Sequence, residues 1–240
     1  EKTLLALNDI PGLKVTASMQ PGKRRGSADL MLKVFDLERE GSYLSYDNYG
    51  SKSTGRNRFG IEYHYNNLTN VGDQISLSGM TSTDDLHNFQ LRYSVPIGSD
   101  GASLHLTAGQ MNYVLGGQYD YLDADGLTNT YELGVSIPMR RTYAQSHFYS
   151  INVRHRDIHD YILSGMYGTE KASDSLEGDL YGYYRDGRNS FSYTLGHVVG
   201  NLHLKRNNYS APDAVGNYHK SLVDLYYIHD IDRDWQLHFS

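Results

Sequence analysis

Cysteine is absent from this 240-residue chain, proline occurs 5 times and tryptophan once. Without cysteine there is no disulfide scaffold and no thiolate metal site. No stretch approaches the roughly 18 consecutive apolar residues that a membrane helix needs, which excludes a helical membrane protein. A membrane β-barrel stays open, because only half of each barrel strand meets lipid. Basic residues are in deficit, with 22 Lys+Arg against 28 Asp+Glu and a formal net charge of -6. A nucleic-acid binder needs a basic face, so no nucleic-acid partner is expected. Neither a phosphate-cradling Gly-x-x-x-x-Gly-Lys-Ser/Thr run nor a Gly-x-Ser-x-Gly nucleophile elbow occurs. Glu1 opens directly into Lys-Thr-Leu-Leu-Ala-Leu without a signal peptide, so the chain is expected to be an excerpt.

What is present is a two-residue beat. Phe59, Ile61, Tyr63 and Tyr65 alternate with Arg58, Gly60, Glu62, His64 and Asn66. Phe89, Leu91, Tyr93 and Val95 alternate with Asn88, Gln90, Arg92 and Ser94, and 131–137 repeats the pattern. Successive side chains of a strand point to opposite faces, so this spacing belongs to strands. Each strand then has one apolar and one polar side, which is the writing of a β-barrel with a wet interior. The aromatics are skewed to tyrosine, 22 against 6 Phe and 1 Trp. Tyrosine is amphipathic and suits strand ends at a lipid–water boundary.

Two regions differ in character. Residues 2–8 can form a short helix, which Pro11-Gly12 stops. Strands are expected over 13–20 and 28–35, around the basic turn Pro21-Gly22-Lys23-Arg24-Arg25-Gly26-Ser27. That basic cluster reads as a solvated hairpin tip. So short a unit cannot bury a stable core, and it is expected to be the tail of a small α+β module. From Gly41 the alternation takes over. Strands are expected over 42–48, 56–66, 73–81, 87–95, 102–112, 131–137, 147–155, 176–184, 189–198 and 218–229, with a further one starting at 235–240. Connections 67–72, 96–101, 138–146, 185–188 and 230–234 are compact and rich in Pro, Gly, Asn and Asp, whereas 114–129 and 200–217 are long. Short turns at one end and longer loops at the other is the outer-membrane pattern. Ten strands plus a fragment leave edges unpaired, which lipid does not tolerate, so more strands are expected beyond Ser240.

The residues also resemble a known family. The run Leu4-Leu5-Ala6-Leu7-Asn8-Asp9-Ile10-Pro11-Gly12-Leu13-Lys14-Val15, then Gln20-Pro21-Gly22 and Gly26-Ser27-Ala28-Asp29-Leu30, resembles the last POTRA domain of two-partner secretion transporters. These are the haemolysin secretion/activation proteins. Tyr46-Asp47-Asn48-Tyr49-Gly50-Ser51 and Thr54-Gly55-Arg56 are similar to that family's first barrel strand and loop, and Asn67-Leu68 with Gly72-Asp73-Gln74 to its first periplasmic turn. The resemblance implies a mainly β chain. Residues 1–36 would be the C-terminal part of a POTRA domain, and 41–240 the N-terminal part of an antiparallel transmembrane β-barrel with about sixteen strands when complete. The family's Arg-Gly-Tyr-type loop motif would lie after Ser240.

The function implied is protein export across the bacterial outer membrane, with the POTRA part in the periplasm. An unfolded exoprotein of haemolysin or adhesin type would be captured there and threaded through the barrel. No cofactor is implied, and the other partner is outer-membrane lipid. A strand edge can pair with an extended client through backbone hydrogen bonds. The candidate edge residues are Lys14, Thr16, Ser18 and Gln20 on one strand, and Ala28, Leu30 and Leu32 on the next. Candidate pore-lining residues are Arg58, Glu62, His64, Gln90 and Arg92, whose mixed charge would wet the channel without trapping one sign.

Other constellations are weaker. His155-Arg156-Asp157-Ile158-His159-Asp160 would present two histidines on one face of a helix. At the end of an expected strand entering a loop, that spacing fixes no geometry, and no metal site is expected. His229-Asp230-Ile231-Asp232 reads as a solvated turn. The competing functions are a barrel-insertion factor, a passive porin and, furthest off, a barrel hydrolase with converging Ser, His and Asp. An enzyme is not expected. A porin has no POTRA, so residues 4–35 argue against one.

Overall fold

The structure, a computed structural model, describes residues 2–207, 215–232 and 235–239. Helix α1 spans Lys2–Asn8 and ends as expected before Pro11. Asn8 ties it to the next element. Its Nδ2 donates to the Val15 carbonyl at 2.9 Å, and its Oδ1 accepts from the Val15 N–H at 2.8 Å. Gly12, with φ 79°, makes the turn between them. Strands β1, Leu13–Pro21, and β2, Ala28–Asp36, then pair antiparallel as a separate two-stranded sheet. Their tip closes where Gly22 donates to the Ser27 carbonyl at 2.9 Å, and the three basic residues sit in that tip.

Among the described residues eleven further strands form one sheet in strict sequence order. They are β3 Glu40–Asp47, β4 Arg58–Asn66, β5 Gln74–Ser82, β6 His87–Ile97, β7 Ala102–Leu115, β8 Ala124–Arg141, β9 Gln145–Ile162, β10 Tyr167–Asp186, β11 Asn189–Asn207, β12 Gly216–Asp230 and β13 Gln236–Phe239. Every neighbouring pair is antiparallel. The two edges are β3 and β13. All ten expected strands and the fragment occur in the expected order, although Ser240 lies outside the described residues.

The strands grow along the chain, from 8 residues in β3 to 20 in β10. At roughly 3.3 Å per residue, β8 to β11 are about 60 Å long, about twice a ~30 Å hydrocarbon core. Here the expectation from alternation falls short. The stretch 114–129 is not a long loop, because β7 runs to Leu115, a 3-10 helix occupies Gly117–Leu122, and β8 starts at Ala124. The segment 155–160 lies inside β9, not at a strand end. Of the loop expected over 200–217, residues 200–207 extend β11 and 216–217 open β12, while 208–214 lie outside the described residues. Nor does Pro138 end its strand. The pairing of β8 with β9 slips between Pro138 and Arg140, and such a bulge accommodates a residue that cannot donate to the ladder. In 155–160 polar residues dominate both faces, so the two-residue beat is silent there although the backbone ladder continues, whereas Leu202 and Leu204 still alternate with His203 and Lys205 along β11.

Burial is inverted relative to a water-soluble sheet. Among the described residues, glycine aside, only Val15, Ala124, Ala172 and the bulge residue Pro138 are buried apolar residues. His105, Thr107, Ser150, Asn152 and Ser173 are buried on the polar face. Phe89 is 51% exposed, Leu133 48% and Val153 56% on the other. Among the described residues no helix is long and apolar enough to cross a membrane.

All described turns on one side of the sheet lie at the end where α1 sits. Ile10 packs on Gly72, where a Cβ would come within 2.6 Å of its Cγ2. Arg141, at the end of β8, forms an ion pair with Asp9, its Nη2 donating to Oδ1 at 2.6 Å. This is the module end of the sheet.

Candidate translocation surface

The polar face is built row by row from the strand register. One row runs His64, Ser76, Arg92, Thr107, Glu132, Arg154 and Ser175, crossing β4 to β10 in directly opposed pairs. The next joins Glu62, Ser78 and Gln90. Arg58 stands at the far end of β4, where its Nε donates to Asp47 Oδ1 at 2.8 Å. The five residues Arg58, Glu62, His64, Gln90 and Arg92 therefore share one face.

Sequence reading missed the densest part of that face. Arg154 bridges two carboxylates, with Nη2 2.6 Å from Glu132 Oε2 and 2.9 Å from Glu177 Oε2. Its Nε also donates to Glu132 at 2.7 Å. A second row adds His105, whose Nε2 is 2.9 Å from Asn152 Oδ1. Ser150 and the Asn152 amide donate to Asp179 Oδ2 at 2.9 and 3.2 Å. Glu132, Arg154, Glu177 and Asp179 all fall on the polar parity of expected strands. Parity marks their face, but only register shows that they meet. Paired charges tolerate a confined, partly desolvated surface that single charges do not. The result is a wall wet by mixed charge, in which Arg154 offsets part of the negative charge of Glu132, Glu177 and Asp179.

The seven candidate edge residues do not share a face of the hairpin. Ala17 opposes Leu32 and Met19 opposes Leu30, whereas Thr16 opposes Lys33 and Ser18 opposes Met31. Val15 turns its backbone N–H and carbonyl to Asn8, away from β2, and Leu37 donates to the Gly12 carbonyl at 2.9 Å. By the alternation of an antiparallel ladder, Lys14, Thr16, Ser18 and Gln20 direct their backbone groups to β2, and Ala28, Leu30 and Leu32 direct theirs to the open edge.

His155 and His159 lie on one face of β9, but four residues of strand separate them by roughly 13 Å, too far to share a metal. His155 instead pairs with Asp174 at 2.6 Å, and Asp157 with Lys205 at 2.5 Å. Among the described residues no three His, Cys, Asp or Glu side chains converge to hold a metal.

At the module end the turn 67–73 is organised by one carboxylate. Asp73 is fully buried and accepts from the Thr69 N–H at 3.0 Å, the Thr69 hydroxyl at 2.9 Å and the Tyr93 hydroxyl at 2.9 Å. Burial raises its affinity for a proton, but those donors outweigh it and hold the carboxyl below its ordinary range. At the far end the loop 48–57 is pinned by Gly55, at φ 94°, where a Cβ would meet Ser82 and the Asp84 N–H. Ser53 accepts from the Gly116 N–H at 2.8 Å, joining this loop to the next one along the rim.

An antiparallel meander, apolar outward and charged inward, with a small α+β module at one end, defines a membrane β-barrel wall. The chain matches the family model of the haemolysin secretion/activation protein ShlB/FhaC/HecB over residues 26–239. It belongs to that family, whose members are outer-membrane β-barrel transporters of two-partner secretion. It is 31% identical over 206 residues to the heme/hemopexin transporter protein HuxB of Haemophilus influenzae, an alignment covering 84% of this chain. The chain spans 36% of the length of that relative. Its fold is similar to CdiB from Escherichia coli, with TM-score 0.73 at 19% identity, covering 96% of this chain and 45% of that one. CdiB from Acinetobacter baumannii gives 0.69 at 14% identity, covering 98% and 43%.

Proposed function

We propose that the protein containing this segment exports an unfolded partner exoprotein through its barrel, without catalysis or a cofactor. The inverted burial carries the reading: an apolar face that meets lipid and a charged face that lines a water-filled path. On this reading residues 1–36 are the end of a periplasmic POTRA domain and 41–240 the first part of the barrel. The module end then faces the periplasm. Arg58, Glu62, His64, Gln90 and Arg92 line the path, together with Glu132, Arg154, Glu177 and Asp179. The open edge of β2, at Ala28, Leu30 and Leu32, offers backbone groups to an extended client. The side chains of Lys14, Thr16, Ser18 and Gln20 offer a polar face beside it. The name of the relatives makes a haem- or hemopexin-binding exoprotein the first client to test.

The experiment uses the full-length transporter, with and without residues 1–36, in cells that also produce the exoprotein encoded beside it. Loss of secretion on deletion, with a folded barrel and unchanged small-solute permeability, is the expected result. Secretion unchanged by deletion would leave the solute-channel reading in its place.

A further inference from the structure

A cavity of about 270 Å3 lies between the small module and the module end of the sheet. Ala6 and Ile10 line it from the module, and Pro96, Phe148 and Tyr181 from the sheet. The two rings stack at 5.3 Å with 11° between planes, and Tyr181 is fixed by a 2.6 Å hydrogen bond to Ser136. Arg141 lies against two of the lining residues, Phe148 and Gly101. Its guanidinium lies 5.3 Å over the Phe148 ring, and Nη1 would be 3.5 Å from a Cβ on the cavity-lining Gly101. The Arg141 side chain is only 7% exposed. Asp9 occupies one side of the guanidinium, but the buried Nε–H has no acceptor. A buried donor without an acceptor is costly. The acceptor that every extended polypeptide supplies is a backbone carbonyl.

We propose that this cavity is a side-chain station for the polypeptide passing from module to barrel, a reading that rests on the export function above. One large aliphatic or aromatic side chain enters and lies on the Phe148–Tyr181 pair, while the neighbouring backbone carbonyl accepts from Arg141 Nε. The size selects this occupant. It is below the roughly 300–1,000 Å3 of drug-sized ligand pockets, and suits single side chains taken in turn. The location selects it too, because the walls come from both parts that a transferred chain must touch.

The test uses the full-length transporter in detergent and two fluorescein-labelled Gly-Ser host peptides, one with a central Leu and one with a central Gly. Anisotropy is expected to show about tenfold tighter binding of the Leu peptide. Phe148→Ala with Tyr181→Ala removes the stacked pair and should bring the two peptides together. Ala6→Phe fills the cavity from the module side, outside the barrel wall, and should do the same even where the double variant does not fold. Arg141→Lys keeps the charge opposite Asp9 but loses the Nε donor, so it should weaken both peptides by one factor and preserve their ratio. Equal binding of the two peptides by the wild type overturns the proposal, as does a ratio unchanged in Ala6→Phe. Secretion is measured in parallel. A transporter that exports its exoprotein yet binds both peptides equally disproves this station alone, whereas absent export disproves the function beneath it.

Discussion

Asp73 shows how much a single carboxylate can settle. Three donors from two residues converge on it, and it joins the 67–73 turn to Tyr93 on β6. An asparagine has one acceptor oxygen where the aspartate has two, and its amide hydrogens would face those donors. Asp73→Asn is therefore expected to cost about 1–2 kcal/mol in denaturant unfolding. The pH dependence has a definite sign. Because the folded carboxyl is held below its ordinary value of 3.8, its contribution is complete above that value and is lost as pH falls through the folded-state value. Acid titration of stability should show a smaller loss below about pH 4 in Asp73→Asn than in the wild type. Arg154 poses the complementary case. Arg154→Ala leaves Glu132 and Glu177 facing each other without the cation between them, an expected loss of about 2 kcal/mol given their partial burial. Adding Glu132→Gln should recover part of it, and the double-mutant difference in unfolding midpoint measures the coupling.

At the scale of the strand, register is held by rings seated over glycines. Tyr113 lies directly opposite Gly126, and Tyr218 directly opposite Gly200, with each ring occupying the space a Cβ would need. Gly134 sits between His105 and Asn152 in the same way. Such ring-over-glycine pairs fix one register, since a slip of one residue sends the ring to the other face. Gly126→Val should displace the Tyr113 ring and cost about 1–3 kcal/mol in unfolding of the full-length transporter. Gly187→Ala provides the control for space, because nothing lies near its Cβ position, although its φ of 48° adds backbone strain. None of these pairs can be read from sequence, because each partner sits on a different strand. What could be read was the face of each residue, from parity: Arg92 and His64 as polar, Leu91 and Phe89 as apolar. The halves of β9 and β10 away from the module escaped because polar residues dominate both their faces, leaving little contrast for a period to show. Arg154 with Glu132 and Glu177 was legible as three polar positions and illegible as a cluster. The same holds for Arg141 and Asp9, which lie 132 residues apart.

For the whole molecule, the decisive relation is between face and solvent. A wall whose apolar side is outward gains its stability from lipid, so equal charges on its two faces must have unequal costs. Leu91 lies near the middle of β6 on the apolar face, opposite Leu77 and Ala108. Ser78, one strand away on the polar face, sits between Glu62 and Gln90. Leu91→Arg places a guanidinium in hydrocarbon near the bilayer midplane, at an expected cost of about 2–4 kcal/mol. Ser78→Arg places the same group beside a carboxylate in a wet interior, where the expected change is within about 0.5 kcal/mol. Guanidinium unfolding of the full-length transporter in phosphatidylcholine vesicles measures both, and the difference between them cancels errors common to the barrel as a whole. Equal costs would mean that the two faces meet the same solvent. A larger cost for Ser78→Arg would mean that the polar face closes on a dry interior, and the export path would have to lie elsewhere.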